Sequence, residues 1–145
     1  MKYMMMVKMD AQSEAGRSFE AGMPPEAKLE AAMGQLIEKM LKSGTLVDMG
    51  GLLPVAKGAQ VRATGGKLAV TDGPFVESKE VIGGYAILRA KSKEEAVELG
   101  REFMQLHLNT LGPSYEGQLE IRQMFDPEDF TAGAPKQCQS IRHPV

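Results

Sequence analysis

Two periods of apolar spacing divide this chain into elements. Tyr3 to Met9 is almost continuously apolar and stops at Asp10, which reads as a strand. From Ala27 to Lys42 the apolar residues fall at Leu29, Met33, Leu36, Ile37, Met40 and Leu41, the spacing of a helix with one buried stripe. Pro24-Pro25 stands where that helix begins, and Lys42 with Gly44 marks its end. Ala11 to Met23, with Gly16 and Gly22 among scattered charges, reads as a loop. Thr45 to Leu53 is a second strand, and Gly50-Gly51 inside it suggests a bulge or a close backbone approach. Gln60–Ala63 and Lys67–Thr71 are short extended runs around Thr64-Gly65-Gly66, a hairpin signal. A further strand runs from about Val81 to Arg89. Ser92-Lys93-Glu94-Glu95 is a capping box opening a helix that buries Ala96, Leu99, Phe103 and Leu106 and ends near Gly112-Pro113. Gln118 to Phe125 is the last strand, and the prolines and glycine beyond Asp126 predict an irregular tail.

With the hairpin set aside, the order is βαββαβ. The expected fold class is α+β, ferredoxin-like with an inserted β-hairpin. Right-handed crossovers place both helices on one face of a single sheet. Yet Met4-Met5-Met6-Val7 and Tyr85-Ala86-Ile87-Leu88 are apolar on consecutive residues, which means both faces of those strands are covered. A second sheet from another subunit is the simplest cover, so a homodimer is expected. The competing cover is the chain's own C-terminal tail.

Composition narrows the function classes. A chain of 145 residues, 43% hydrophobic and 25% charged, is ordinary for one globular domain. A net charge of -2 gives no electrostatic case for nucleic acid. No apolar run approaches a membrane span, and the start of the chain lacks the pattern of a signal peptide, so a cytoplasmic protein is expected. The single cysteine, Cys138, cannot form an internal disulfide. The two histidines, His107 and His143, are too isolated for a metal site, and the glycine pairs lack the form of a phosphate loop, so neither a metal nor a cofactor is expected. Eleven methionines fill core gaps.

The densest local feature is Asp72-Gly73-Pro74-Phe75, followed by Glu77, Lys79 and Glu80. It resembles the signature of the YCII-related family, whose DGPF branch is named for those four letters. Gly50-Gly51-Leu52 with Pro54 and Gly58, Gly83-Gly84-Tyr85 with Ser92, Glu95 and Ala96, and Glu120-Ile121-Arg122 with Phe125, Glu128, Asp129 and Phe130 extend the likeness over about residues 1–130. Residues 131–145 fall outside it as a tail. The resemblance implies a ferredoxin-like subunit that pairs into a dimeric α/β barrel. It also implies a parent group in which a His and an Asp line a cleft, a relative similar to lyases that remove chloride from a chlorinated hydroxyquinone, and an association of DGPF proteins with extracytoplasmic-function sigma factors. In that parent group the His lies on the first helix; here Ala27–Lys42 has none, and Met33 falls near the place.

Each candidate for chemistry has a structural alternative. Asp72, a carboxylate in a tight turn beside a cleft, suits a base or a ligand anchor. Alternatively it forms an Asx-type turn, with Pro74 fixing φ and Phe75 plugging the core. His107 is a residue type suited to acid–base work, but its place off the apolar stripe predicts a surface histidine near the helix end. Glu77, Lys79 and Glu80 read as a solvated strand face or, for one of them, a partner in an ion pair across the dimer. Asp48, Arg62, Tyr85, Glu120 and Arg122 lie on strands that face one interior, where they form either a polar small-molecule pocket or ion pairs. Arg122 suits a carboxylate or another anion. Three functions follow: a small-molecule binding protein with a regulatory role, a cofactor-free lyase or isomerase using Asp72 or His107, and an interaction module for a partner such as a sigma factor.

Overall fold

A computed structural model describes residues 1–75 and 79–126 of the protein. The first strand, β1 (Lys2–Asp10), lies inside a four-stranded sheet with β2 (Leu46–Gly51), β5 (Glu80–Arg89) and β6 (Gln118–Gln123). The order is β2-β5-β1-β6, and every neighbouring pair is antiparallel. With α2 (Ala27–Lys42) and α3 (Lys93–Leu111) between the strands, this is the α+β ferredoxin-like arrangement expected from the sequence. Strands β3 (Ala59–Thr64) and β4 (Lys67–Asp72) form a separate two-stranded hairpin.

Both long helices pack on one face of the sheet. Met5, Leu36, Met40, Leu46 and Leu88 form the buried cluster, with Ile37, Ala86, Leu99, Phe103 and Leu106 against it. A second cluster joins Tyr3, Ala90 and Ala96 at the sheet end beside the start of α3. The stripes predicted for the two helices are therefore the faces they bury, although Leu41 at the end of α2 is exposed. Ser92 caps α3 by accepting from the Glu95 N–H at 3.1 Å. The Glu95 carboxylate reaches one residue beyond the expected partner and accepts from the Lys91 N–H at 2.7 Å. No helix among the described residues is long and apolar enough to cross a membrane.

Three sequence expectations are corrected. The segment read as a loop contains a helix, α1 (Glu14–Glu20). Ser13 caps it, its hydroxyl accepting from the Gly16 N–H at 3.0 Å. Seven residues are too few to show a helical period, and Gly16, taken for a loop residue, is buried. Asp72 forms no Asx turn: among the described residues its carboxylate accepts no hydrogen bond, and the Gly73 N–H instead donates to the Gly58 carbonyl at 2.9 Å. Phe75 does not plug the core, because it is only half-buried and belongs to neither cluster. Glu77, Cys138, His143 and the tail lie outside the described residues.

The hairpin stands on a firm base. Its turn residues Gly65 and Gly66 have φ of 60° and 76°, the left-handed pair that a two-residue turn requires. Below it, a 3-10 turn (Val55–Lys57) is tied to α1, since the Glu20 carboxylate accepts from the Val55 N–H at 3.0 Å. Leu52 continues the pairing of β2 with β5 by donating to the Gly83 carbonyl at 3.0 Å.

Leu88 has 0% exposure, so Leu88→Ala is expected to cost about 2–5 kcal/mol of stability. Phe75→Ala is expected to cost less than Leu88→Ala under the same urea denaturation. An equal or larger loss for Phe75→Ala would return that ring to the core.

Candidate functional site

Residues directly opposite in a sheet share a face, so register sorts the candidate residues. Tyr3 and Met5 of β1 point to the helices, which leaves Met4, Met6 and Lys8 on the other face. Met4 pairs with Ile87 and Arg122, and Met6 with Tyr85 and Glu120. Asp48 pairs with Ile87, and Gly50 with Tyr85. Asp48, Tyr85, Glu120 and Arg122 therefore share one face. Its floor is the half-buried row Met4, Met6, Tyr85 and Ile87. The Tyr85 ring lies across Gly50: a Cβ at Gly50 would meet the Tyr85 Cε1 at 2.9 Å. A side chain at position 50 would push the phenol from its present place.

The other candidates stand elsewhere. Arg62 is on the hairpin, opposite Ala69, and Asp72 is exposed at the hairpin's base, opposite Ala59. His107 is on α3, in the helix layer behind the sheet. It is not the surface histidine expected. It is 7% exposed, with its ring 4.5 Å from Phe103 and 5.3 Å from Tyr115 between centroids. Its Nδ1 lies 2.8 Å from the Phe103 carbonyl, which can only accept, so Nδ1 carries the proton. The stripe count missed this burial because the covering ring, Tyr115, comes from the loop after the helix. Burial also raises the Tyr115 phenol above its usual value.

The sequence reading missed Lys8. Its ammonium lies 3.0 Å from Glu80 and 3.2 Å from Glu120, and its side chain is 18% exposed. Hydrogen bonds that its ammonium donates to Glu80 first, and then to Glu120, hold its pKa above the usual 10.5. Glu80, expected on a solvated strand face or paired across the dimer, is thus half of a charge pair within the chain. A count by twos from Met4 and Met6 places Lys8 on the open face, so the signal was present in the sequence. Arg122 is the loosest charge here, 3.9 Å from Glu120 and 75% exposed. The Asp48 carboxylate is turned back onto the Met49 N–H at 2.8 Å.

Two shallow grooves of about 630 and 410 Å³ lie on the helix layer. One runs along α3 past Leu99 and Met104, the other between Leu36 and Leu106, and neither contains a candidate residue. No group of three or more His, Cys, Asp or Glu among the described residues is placed to hold a metal.

Residues 1–103 match the YCII-related domain. The chain belongs to the YCII-related family. A relative, an uncharacterized protein of Rhizobium meliloti (strain 1021), is 31% identical over 86 residues. That alignment covers 59% of this YCII-related chain and 64% of the relative, so the chain spans less than two thirds of the relative's length. Neither comparison brings an activity with it. On α2 of this YCII-related chain Met33 is half-buried, and no histidine accompanies it.

Pairing raises the folded-state pKa of Lys8, so its contribution to stability is complete below the unfolded value of about 10.5 and is lost as pH rises through the higher folded value. Lys8→Met is expected to melt below wild type at neutral pH, with the gap closing in alkali. A gap that stays constant across the alkaline range would show that the pairs contribute nothing.

Proposed function

We propose that this protein binds a small molecule bearing an anionic group on the open face of its sheet, in a cleft that a second copy closes. The Asp72-Gly73-Pro74-Phe75 turn supports placing it in the DGPF branch of the family. The observation that carries the reading is the pairing of a half-buried apolar floor, Met4, Met6, Tyr85 and Ile87, over which no element among the described residues packs, with a polar rim of Lys8, Glu120 and Arg122. Small-molecule sites have this anatomy: apolar walls for affinity and a few fixed polar groups for orientation.

Among the described residues, Lys8 already faces two carboxylates, whereas Arg122 has one distant contact. Arg122 is the group with capacity to turn a planar fork of donors toward a carboxylate. Among the described residues the face has no roof, and a second sheet packed face to face at about 10 Å supplies one. Catalysis by Asp72 or His107 has less support, since Asp72 is on the hairpin and His107 on α3, and neither stands on this face.

Benzoate, which combines a flat apolar body with a carboxylate, is a suitable probe. Titrated into isotope-labelled protein, it is expected to shift the resonances of Met4, Met6, Tyr85 and Ile87, and Arg122→Ala is expected to weaken binding about tenfold or more, as for a lost charge-assisted hydrogen bond. Shifts confined to the helix layer, or binding indifferent to Arg122→Ala, would sink the proposal.

A further inference from the structure

The pairing of β1 with β5 slips by one residue beside Lys8. Val7 pairs with Gly84 and Lys8 with Ile82, which leaves Gly83 out of the register. A bulge of this kind re-aims the side chains around it. Alternation by twos from Tyr85 would put Val81 on the open face and Glu80 on the side of the helices. The slip reverses this. Val81 turns inward, at 3% exposure, and Glu80 comes onto the open face beside Lys8. On the other edge of β1, Lys8 pairs with Gln118, Met6 with Glu120 and Met4 with Arg122. Glu120 therefore stands between two cations of one face, with Lys8 toward Gln118 and Arg122 on the opposite side.

We infer that Lys8 is a positioning residue for the anion site: it holds the Glu120 carboxylate toward the Gln118 end of β6 and so keeps the Arg122 guanidinium open to a ligand. This rests on the proposed anion-binding face and names the residue that keeps its cation available. The two oxygens of Glu120 are divided between the cations. Oε1 accepts from the Lys8 ammonium at 3.2 Å, whereas Oε2 is 3.9 Å from Arg122 Nη1, beyond hydrogen-bond length. Lys8 is held from the other side as well, its ammonium 3.0 Å from Glu80 Oε2. A lysine tied to β5 and β6 at once, with its side chain 18% exposed, has little freedom to meet a ligand itself.

Without the Lys8 ammonium, Arg122 is the remaining cation within ion-pair range of Glu120 among the described residues. The two share one face of β6, two residues apart, so a small rotation of either side chain closes the 3.9 Å gap. That pair would occupy the donors that a carboxylate ligand needs. Lys8 thus acts on the ligand through Glu120, without touching it. The slip at Gly83 acts one step further back, by bringing Glu80 to the face where it steadies Lys8.

The test uses the full chain, and its first readout needs no ligand. Rotation of the Arg122 guanidinium, followed by nitrogen NMR and assigned by loss of the signal in Arg122→Ala, is expected to be fast in wild type. It is expected to slow in Lys8→Met and to be fast again in Lys8→Met/Glu120→Gln. Benzoate titration is the second readout. Lys8→Met is expected to weaken binding about fivefold or more, the scale of coupling between neighbouring charges, and Glu120→Gln alone to tighten it. With Glu120→Gln present, Lys8→Met is expected to have little further effect. A lysine that met the ligand directly, or acted by its charge alone, would weaken binding by the same factor with and without Glu120→Gln, and that result overturns the positioning role. An Arg122 rotation indifferent to Lys8→Met also overturns it, and leaves the cleft standing where benzoate shifts Met4 and Met6. A wild type without benzoate shifts on the sheet face overturns the anion site and this role together. Lys8→Gln, polar and uncharged, takes the place of Lys8→Met in both readouts if the latter fails to fold.

Discussion

The fold depends on β1 being hydrogen-bonded along both edges while carrying apolar side chains on both faces. Its backbone is satisfied by β5 on one side and β6 on the other, so the strand cannot shift register without breaking two ladders at once. Tyr3 and Met5 are buried under the helices at 3% exposure each, which fixes which face is the core. Met4 and Met6 are thereby committed to the opposite face. The chain supplies one helix layer and the strand presents two apolar faces. The surface left over is where function has room to act, and it arises from the same alternation that builds the core.

The inserted segment between β2 and β5 has a related logic. These two strands are neighbours in the sheet, so a short turn would suffice to join them, yet the chain spends residues 52–79 on the journey. Much of that length is the hairpin and its base. Asp72-Gly73-Pro74-Phe75 sits where the hairpin returns, with Gly73 pressed against the Val55 carbonyl and bonded to Gly58. A side chain at position 73 would collide with that carbonyl. The four-letter turn is best understood as the fitting that sets the hairpin's angle to the sheet. Its exposed Asp72 belongs to the hairpin, opposite Ala59, and not to the sheet face.

How much could be read in advance follows from range. Strands and long helices were legible because their period repeats: α2 and α3 show their stripes over 16 and 19 residues. The shared face of Asp48, Tyr85, Glu120 and Arg122 was legible for the same reason, since alternation carries from strand to strand once the order is known. What escaped depends on single contacts. The α1 helix rests on one cap and a buried glycine; His107 is covered by a ring eight residues on; Phe75 is kept from the core by the hairpin's base. Arg62 was grouped with the site because its strand was counted with the sheet, although the hairpin is a sheet of its own. Such facts belong to tertiary placement, which a local pattern does not encode.

The charges on the open face sharpen what it can accept. Lys8 stands between Glu80 and Glu120, and the three together carry one excess negative charge. An anion approaching that end of the face meets a lysine whose field is already cancelled. At the other end Arg122 shares Glu120 only at 3.9 Å and remains exposed. Because Glu120 binds Lys8 more closely, the guanidinium can rotate away without stranding the carboxylate. Polarity therefore runs along β6, from a satisfied pair at Glu120 to an available cation at Arg122, with the Met4 and Met6 floor beside it. A ligand matched to this gradient lays an apolar body along the methionines and directs its charge to Arg122, while one with charge at both ends meets repulsion beside Glu80. Covering the face strengthens that selection, because removing water lowers the local dielectric and raises the cost of every charge left unmatched.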